Sequence, residues 1–185
     1  MPPEIGRSEN RLRRIKTVHK KAQSMESRPT RKKIRLSPES YHQGHAFLIT
    51  TGTYMRYPWF SEYRELTREA VELLITLASD RGSKLYAWCI MPEHIHLLLQ
   101  DNNIIDFVRM IKGKLVPKAA LLKRDQRLWQ RSFYDHGLRK EESLEHTAVY
   151  IWENPVRAGL VAHATEYAWS GSLVWRNWRD FFGRG

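Results

Sequence analysis

An α+β fold, with helices packed on an antiparallel β-sheet, is predicted by three features of the sequence. Some segments are rich in β-branched and aromatic residues, others repeat apolar residues at helical spacing, and the two kinds alternate along the chain. The first strand is expected over 46–54, bounded by Tyr57-Pro58. A helix follows, with Tyr63, Leu66, Ala70, Leu73, Leu74 and Leu77 at spacings of three and four and Arg81-Gly82 as its stop. Residues 84–90 form a second strand, and Met91-Pro92-Glu93 turns the chain into a third over 94–100. A second long helix spans 104–122, with a break expected at Gly113 and Pro117. Residues 133–138 read equally as a short strand or an ordered loop. A third helix over 141–154 has Glu141 and Glu142 near its positive end. This order suggests a sheet covered on one face.

Charge is unevenly spread over the 185 residues. The formal net charge is +11, and residues 1–40 hold twelve basic side chains against four glutamates, +8 of that total. A polyanion is the expected partner, nucleic acid before an anionic membrane surface, because neutralised phosphates release counterions. The segment 1–43 is expected to be a disordered basic arm that grips phosphates; a solvated leader, or a true start at Met25, explains it equally well. The arm lacks an apolar face, and no run of about 20 apolar residues suits a membrane span. The lone Cys89, in an apolar run, fits a reducing compartment, so a cytoplasmic, nucleoid-associated location is expected. The tail 172–185 is rich in aromatics that either stack on unpaired bases or close a core.

Three clusters could carry chemistry. On the strand Glu93-His94-Ile95-His96-Leu97-Leu98-Leu99, period two sends both imidazoles to one face, where they could share a divalent cation. A pair of ordinary hydrogen-bonded histidines gives the same pattern. On the third helix Tyr150 and Asn154, four apart, sit one above the other at the edge of an apolar stripe. A boundary tyrosine and a helix-ending Asn-Pro explain them as well. The third cluster is Phe133-Tyr134-Asp135-His136-Gly137-Leu138-Arg139.

Taken together, Met91 to His96, Phe133 to Arg139 and Tyr150 to Val161 resemble the REP-associated tyrosine transposases, within the single-tyrosine HUH transposases. The resemblance covers about 44–171. It implies an HUH endonuclease fold of ferredoxin-like arrangement. It also implies cleavage and rejoining of single-stranded hairpin DNA through a 5′-phosphotyrosine, with Mg2+ or Mn2+ as cofactor. Tyr150 would be the nucleophile, His94 and His96 the metal ligands, and Asn154 the third ligand, where the wider group often has Gln. Tyr134, His136, Arg139, Lys140 and Arg157 are candidate DNA contacts. The resemblance allows a monomer or a homodimer. Two other readings are a hairpin-binding protein without catalysis and a metallohydrolase that uses Glu93 as its base.

Overall fold

The computed structural model describes residues 45–123, 125–139 and 141–183. The expected basic arm and Lys140 lie outside the described residues. Five strands form one antiparallel sheet: β1 (Phe47–Gly52), β2 (Lys84–Met91), β3 (His94–Gln100), β4 (Tyr134–Gly137) and β5 (Ser170–Gly171), in the order β4-β1-β3-β2-β5. Helices are α1 (Trp59–Glu62), α2 (Arg64–Arg81), α3 (Ile104–Leu122), α4 (Leu144–Trp152) and α5 (Asn154–Arg157), with short 3-10 turns at Tyr54–Arg56, Ala164–Glu166 and Trp178–Phe182. None of the helices described is long and apolar enough to cross a membrane.

The local signals act as expected at most ends. Gly82 stops α2 in the left-handed conformation at φ 63°, which only a residue without Cβ adopts cheaply. Ser143 caps α4 by accepting from the His146 N–H at 3.2 Å. The segment 133–138, undecided from sequence, contributes β4 at the sheet edge beside β1. The expected break in the second long helix does not occur, since α3 runs unbroken through Gly113 and Pro117. Its apolar residues Ile104, Phe107, Val108, Ile111, Leu115 and Ala119 are all buried, and that anchorage outweighs the one backbone bond Pro117 removes.

The sheet is covered on both faces, not one. Phe47, Ile49, Leu85, Trp88, Ile90, Ile95, Leu97 and Leu99 face a core shared with α1, α2 and α3. Ala87, Cys89, Met91 and Leu98 face a second core with Ala148, Ile151 and Trp152 of α4. A bulge at Tyr86 keeps this alternation in register, with Leu85 opposite Leu99 and Ala87 opposite Leu98. Central strands sandwiched this way are apolar on both sides, which is why 85–91 are buried without interruption.

The aromatic tail closes the second core. Trp152 is fully buried, with the rings of Trp178, Phe181 and Trp175 at 4.9, 5.6 and 6.0 Å. Its indole donates to the Gly171 carbonyl at 3.1 Å. Gly171 itself is required by contact, because a Cβ there would stand 2.2 Å from the Trp88 ring. At the other end of the sheet, Arg81 of α2 is bidentate to the buried Asp101 at 2.8 and 2.9 Å and also reaches Asp106, fastening the start of α3.

Candidate active site

Alternation along β3 decides where the histidines point. Leu98 lies in the core beneath α4, so His94 and His96, at even positions on the same strand, face that side as well. Their rings meet edge to face with centroids 4.5 Å apart, and their Nε2 atoms converge to 2.8 Å. The rear nitrogens are held from behind. Thr50 Oγ1 lies 2.9 Å from His96 Nδ1. A Glu93 carboxylate oxygen stands 3.3 Å from His94 Nδ1, near enough for electrostatic pairing though off hydrogen-bond alignment.

Burial keeps both rings neutral. It is the main cause that lowers the His94 pKa below its usual value, with Arg56 helping and Glu93 opposing. For His96 burial comes first again, followed by the adjacent His94 and the positive Arg157, and the pKa falls to about 3. Two neutral imidazoles whose Nε2 atoms converge make a donor set for a cation. Ligands at ~2.1 Å from a shared ion and at right angles would stand ~3.0 Å apart, close to the observed spacing. The residues present therefore fit a divalent metal. No group of three His, Cys, Asp or Glu side chains suited to a metal occurs among the described residues.

The α4 helix supplies the second cluster. Ala148, Ile151 and Trp152 are buried and Tyr150 is half exposed, placing it on the helix flank. Helix α4 ends at Trp152, two residues before the Asn-Pro that was expected to stop it, and Asn154 instead opens the short helix α5 with Pro155 in its first turn, where a missing N–H costs nothing. Asn154 Nδ2 donates to the carbonyls of Tyr150 and Ile151 at 3.1 and 3.0 Å, which leaves Oδ1 unbonded among the described residues. Arg157 lies over the Tyr150 ring at 4.2 Å, donates to the Tyr150 carbonyl and pairs with Glu153 at 3.2 Å. Among the described residues no hydrogen bond joins Tyr150 or Asn154 to either histidine. Arg157 stacks on the tyrosine, and its positive charge is among the causes that lower the His96 pKa.

Register places the other candidates. Tyr134, Thr50, His96, Cys89 and Ser170 are successive partners across all five strands, so they share a row and a face. Tyr134 is exposed at the end of that row. His136, one row away opposite Leu48, bonds the Glu142 carboxylate at 3.0 Å, and the same carboxylate accepts from the Arg139 N–H at 2.7 Å. These bonds fasten the turn that enters α4, while the Arg139 side chain is exposed. Thr50 was missed by sequence reasoning. Its only signal was an even-numbered polar residue on β1, and only the pairing with β3 gives that a meaning.

The family model described as IS200-like transposase matches residues 40–154. Over 101 residues the chain is 28% identical to the REP-associated tyrosine transposase of Escherichia coli (strain K12), an overlap of 52% of this chain and 59% of that protein. It is 32% identical over 98 residues to a putative REP-associated tyrosine transposase of Haemophilus influenzae, covering 45% and 56%. The chain thus spans less than two thirds of either relative's length. A solved structure described as the REP-associated tyrosine transposase bound to a REP hairpin matches at TM-score 0.58 and 26% identity, over 76% of this chain and 81% of that one. The α+β sheet architecture is the one that structure has.

Proposed function

Because the chain belongs to the IS200-like transposase family, we propose that it cleaves and rejoins single-stranded DNA at hairpin sequences, with Tyr150 as nucleophile. The observation that carries this reading is the convergence of His94 and His96 Nε2 on the sheet face that α4, the helix bearing Tyr150, covers. His94 and His96 would hold Mg2+ or Mn2+, with Asn154 Oδ1 as the third ligand. When bound, the cation polarises the scissile phosphate and offsets the charge that gathers on its oxygens.

The chain's own residues do the rest. The Tyr150 oxygen attacks phosphorus in line, a tyrosine–phosphorus bond forms, and the bond to the 3′ oxygen breaks. The phenol gives up its proton and the departing 3′ oxygen gains one. The product pair is a 5′-phosphotyrosine and a free 3′-hydroxyl, and because the ester is retained, another 3′-hydroxyl can reverse the step and rejoin the strand. Thr50 and Glu93 orient the imidazoles from their Nδ1 sides, a rear support that metal-bound histidines ordinarily have. The position of Glu93 also weighs against its acting as a hydrolytic base. It pairs with Arg56 at 2.6 Å and lies behind His94, on the ring side away from the converging nitrogens.

Incubating the protein with end-labelled single-stranded hairpin DNA and manganese tests the reading. A denaturant-resistant protein–DNA adduct that disappears in Tyr150→Phe is expected. Tight binding without adduct or cleavage, across hairpins and metals, would leave a hairpin binder of the same fold.

A further inference from the structure

A groove of about 870 Å3 runs between α3 and the segment 125–133 that leads into β4. Its walls are held together from within. Lys112 Nζ donates to the Gln130 carbonyl at 2.8 Å, and the Trp129 indole donates to the Lys112 carbonyl at 3.0 Å. The groove is therefore preformed, not a gap that side chains would close. Val108, Val116 and Phe133 give it an apolar lining; Arg127, over the Tyr54 ring at 5.5 Å, and Arg131 stand exposed at its rim with Asp125, and neither arginine makes an ion pair among the described residues.

Gly113 also lines the groove, in the middle of α3. Glycine is among the poorest residues for a helix interior, and this one has no positive φ that would call for it. Nor does packing, since a Cβ built at Gly113 would meet nothing within 4 Å. An exposed, bare stretch of helix backbone inside a preformed groove is what the close approach of a ligand requires.

The groove belongs to the layer on the sheet face opposite the histidine pair, and its outer wall reaches the sheet at the end of β1. Gln130 N–H donates to the Gly52 carbonyl at 3.0 Å and Tyr54 N–H to the Leu128 carbonyl at 2.9 Å, so the outer wall extends the sheet past the end of β1. Gly52 is itself paired with His94. A strand would pass from the histidine pair to this wall around the end of β1.

We propose that the groove seats unpaired nucleotides of the DNA strand at a distance from the cleaved phosphodiester. A base lies on the Gly113 face of α3, and the flanking phosphates meet Arg127 and Arg131. An apolar bed with a cationic rim suits the flat faces of bases and the charge of their backbone, and suits an apolar peptide less. The inference rests on the single-stranded-DNA reading above and adds a place where the strand is gripped apart from the chemistry.

The test uses the full-length chain and a fluorescent dT20 oligonucleotide, plain or carrying 5-iododeoxyuridine at successive positions. Photo-crosslinks are expected within 108–133. Gly113→Leu should weaken binding ~tenfold, the order of losing one stacked base. Replacing Arg127 and Arg131 by Glu should weaken it as well and lower the slope of log affinity against log salt by about two. Gly113→Ala should keep or raise the melting temperature. A fall would overturn the proposal, because it would show that the glycine serves to relieve the Pro117 ring against the carbonyl four residues before it. Unchanged binding in Gly113→Leu, or crosslinks confined to other segments, would overturn it too. Crosslinks outside the groove in a protein that still forms the Tyr150-dependent adduct would sink the groove alone. Groove crosslinks without any adduct would sink only the tyrosine chemistry.

Discussion

The guanidinium of Arg157 lies 4.2 Å from the centroid of the Tyr150 ring while it also donates to the Tyr150 backbone carbonyl. One side chain thus fixes both ends of the proposed nucleophile. A half-exposed tyrosine on a helix flank is otherwise free to swing, and in-line attack tolerates little misplacement. Arg157→Ala is expected to slow adduct formation in single turnover by about tenfold or more, with the melting temperature nearly unchanged. Arg157→Lys should restore little, because an ammonium cannot stack as a planar guanidinium does. Adduct rates equal to wild type in both variants would remove Arg157 from the positioning of Tyr150.

Thr50 tests the support behind His96. The hydroxyl stands 2.9 Å from Nδ1, and when it accepts from Nδ1–H the ring presents Nε2 as a ligand. Thr50→Val keeps the shape of the strand and should weaken manganese binding by about 10–100-fold, measured by calorimetry without DNA. His96→Ala should abolish metal-dependent cleavage altogether. Calorimetric affinity unchanged in Thr50→Val would show that the hydroxyl does not set the ring.

The link between α2 and α3 sets an acid limit on stability. Burial works against the charge of Asp101, but bonds from Arg81, Ser83 and the Asn103 N–H outweigh it and hold the carboxyl below its ordinary range. A lowered folded pKa means stability that is complete above the unfolded value of 3.8 and is lost as pH falls through the folded one. Urea unfolding followed downward from pH 5 should show that loss. Arg81→Met should cost about 2–3 kcal/mol at neutral pH, less than for a wholly buried pair because Arg81 is partly exposed.

The aromatic tail is part of the fold that carries Tyr150. Trp152→Ala should cost about 3–5 kcal/mol by leaving a cavity among Trp175, Trp178 and Phe181. Deleting 172–185 should destabilise α4 in the same direction, read by hydrogen exchange at Ala148 and Ile151. Full protection in the truncated chain would show that the tail only covers α4.

The basic segment is tested through salt. Removing residues 1–40 takes away +8 of the +11 charge. DNA binding should weaken at low salt and the salt slope should flatten, because fewer phosphates are neutralised. An unchanged slope would place the segment outside the interface.

Local rules settled much of this protein. Period two along 94–100 put both histidines on one face, and helical spacing put Asn154 over Tyr150, because each needs only residues a few positions apart. The Gly82 stop was legible for the same reason. Gly113 and Pro117 were read as a break, yet the helix continues because its buried face overrides a local penalty. The second covered face could not be read either, since β2 buries both sides only once α4 and the tail have docked. Nor could the support of His96 by Thr50, 46 residues away, or the hold of Arg157 on Tyr150, be found from spacing. Strand register and helix docking are set by the summed burial of distant side chains, so only the tertiary structure decides which groups stand behind a ligand and which hold a nucleophile.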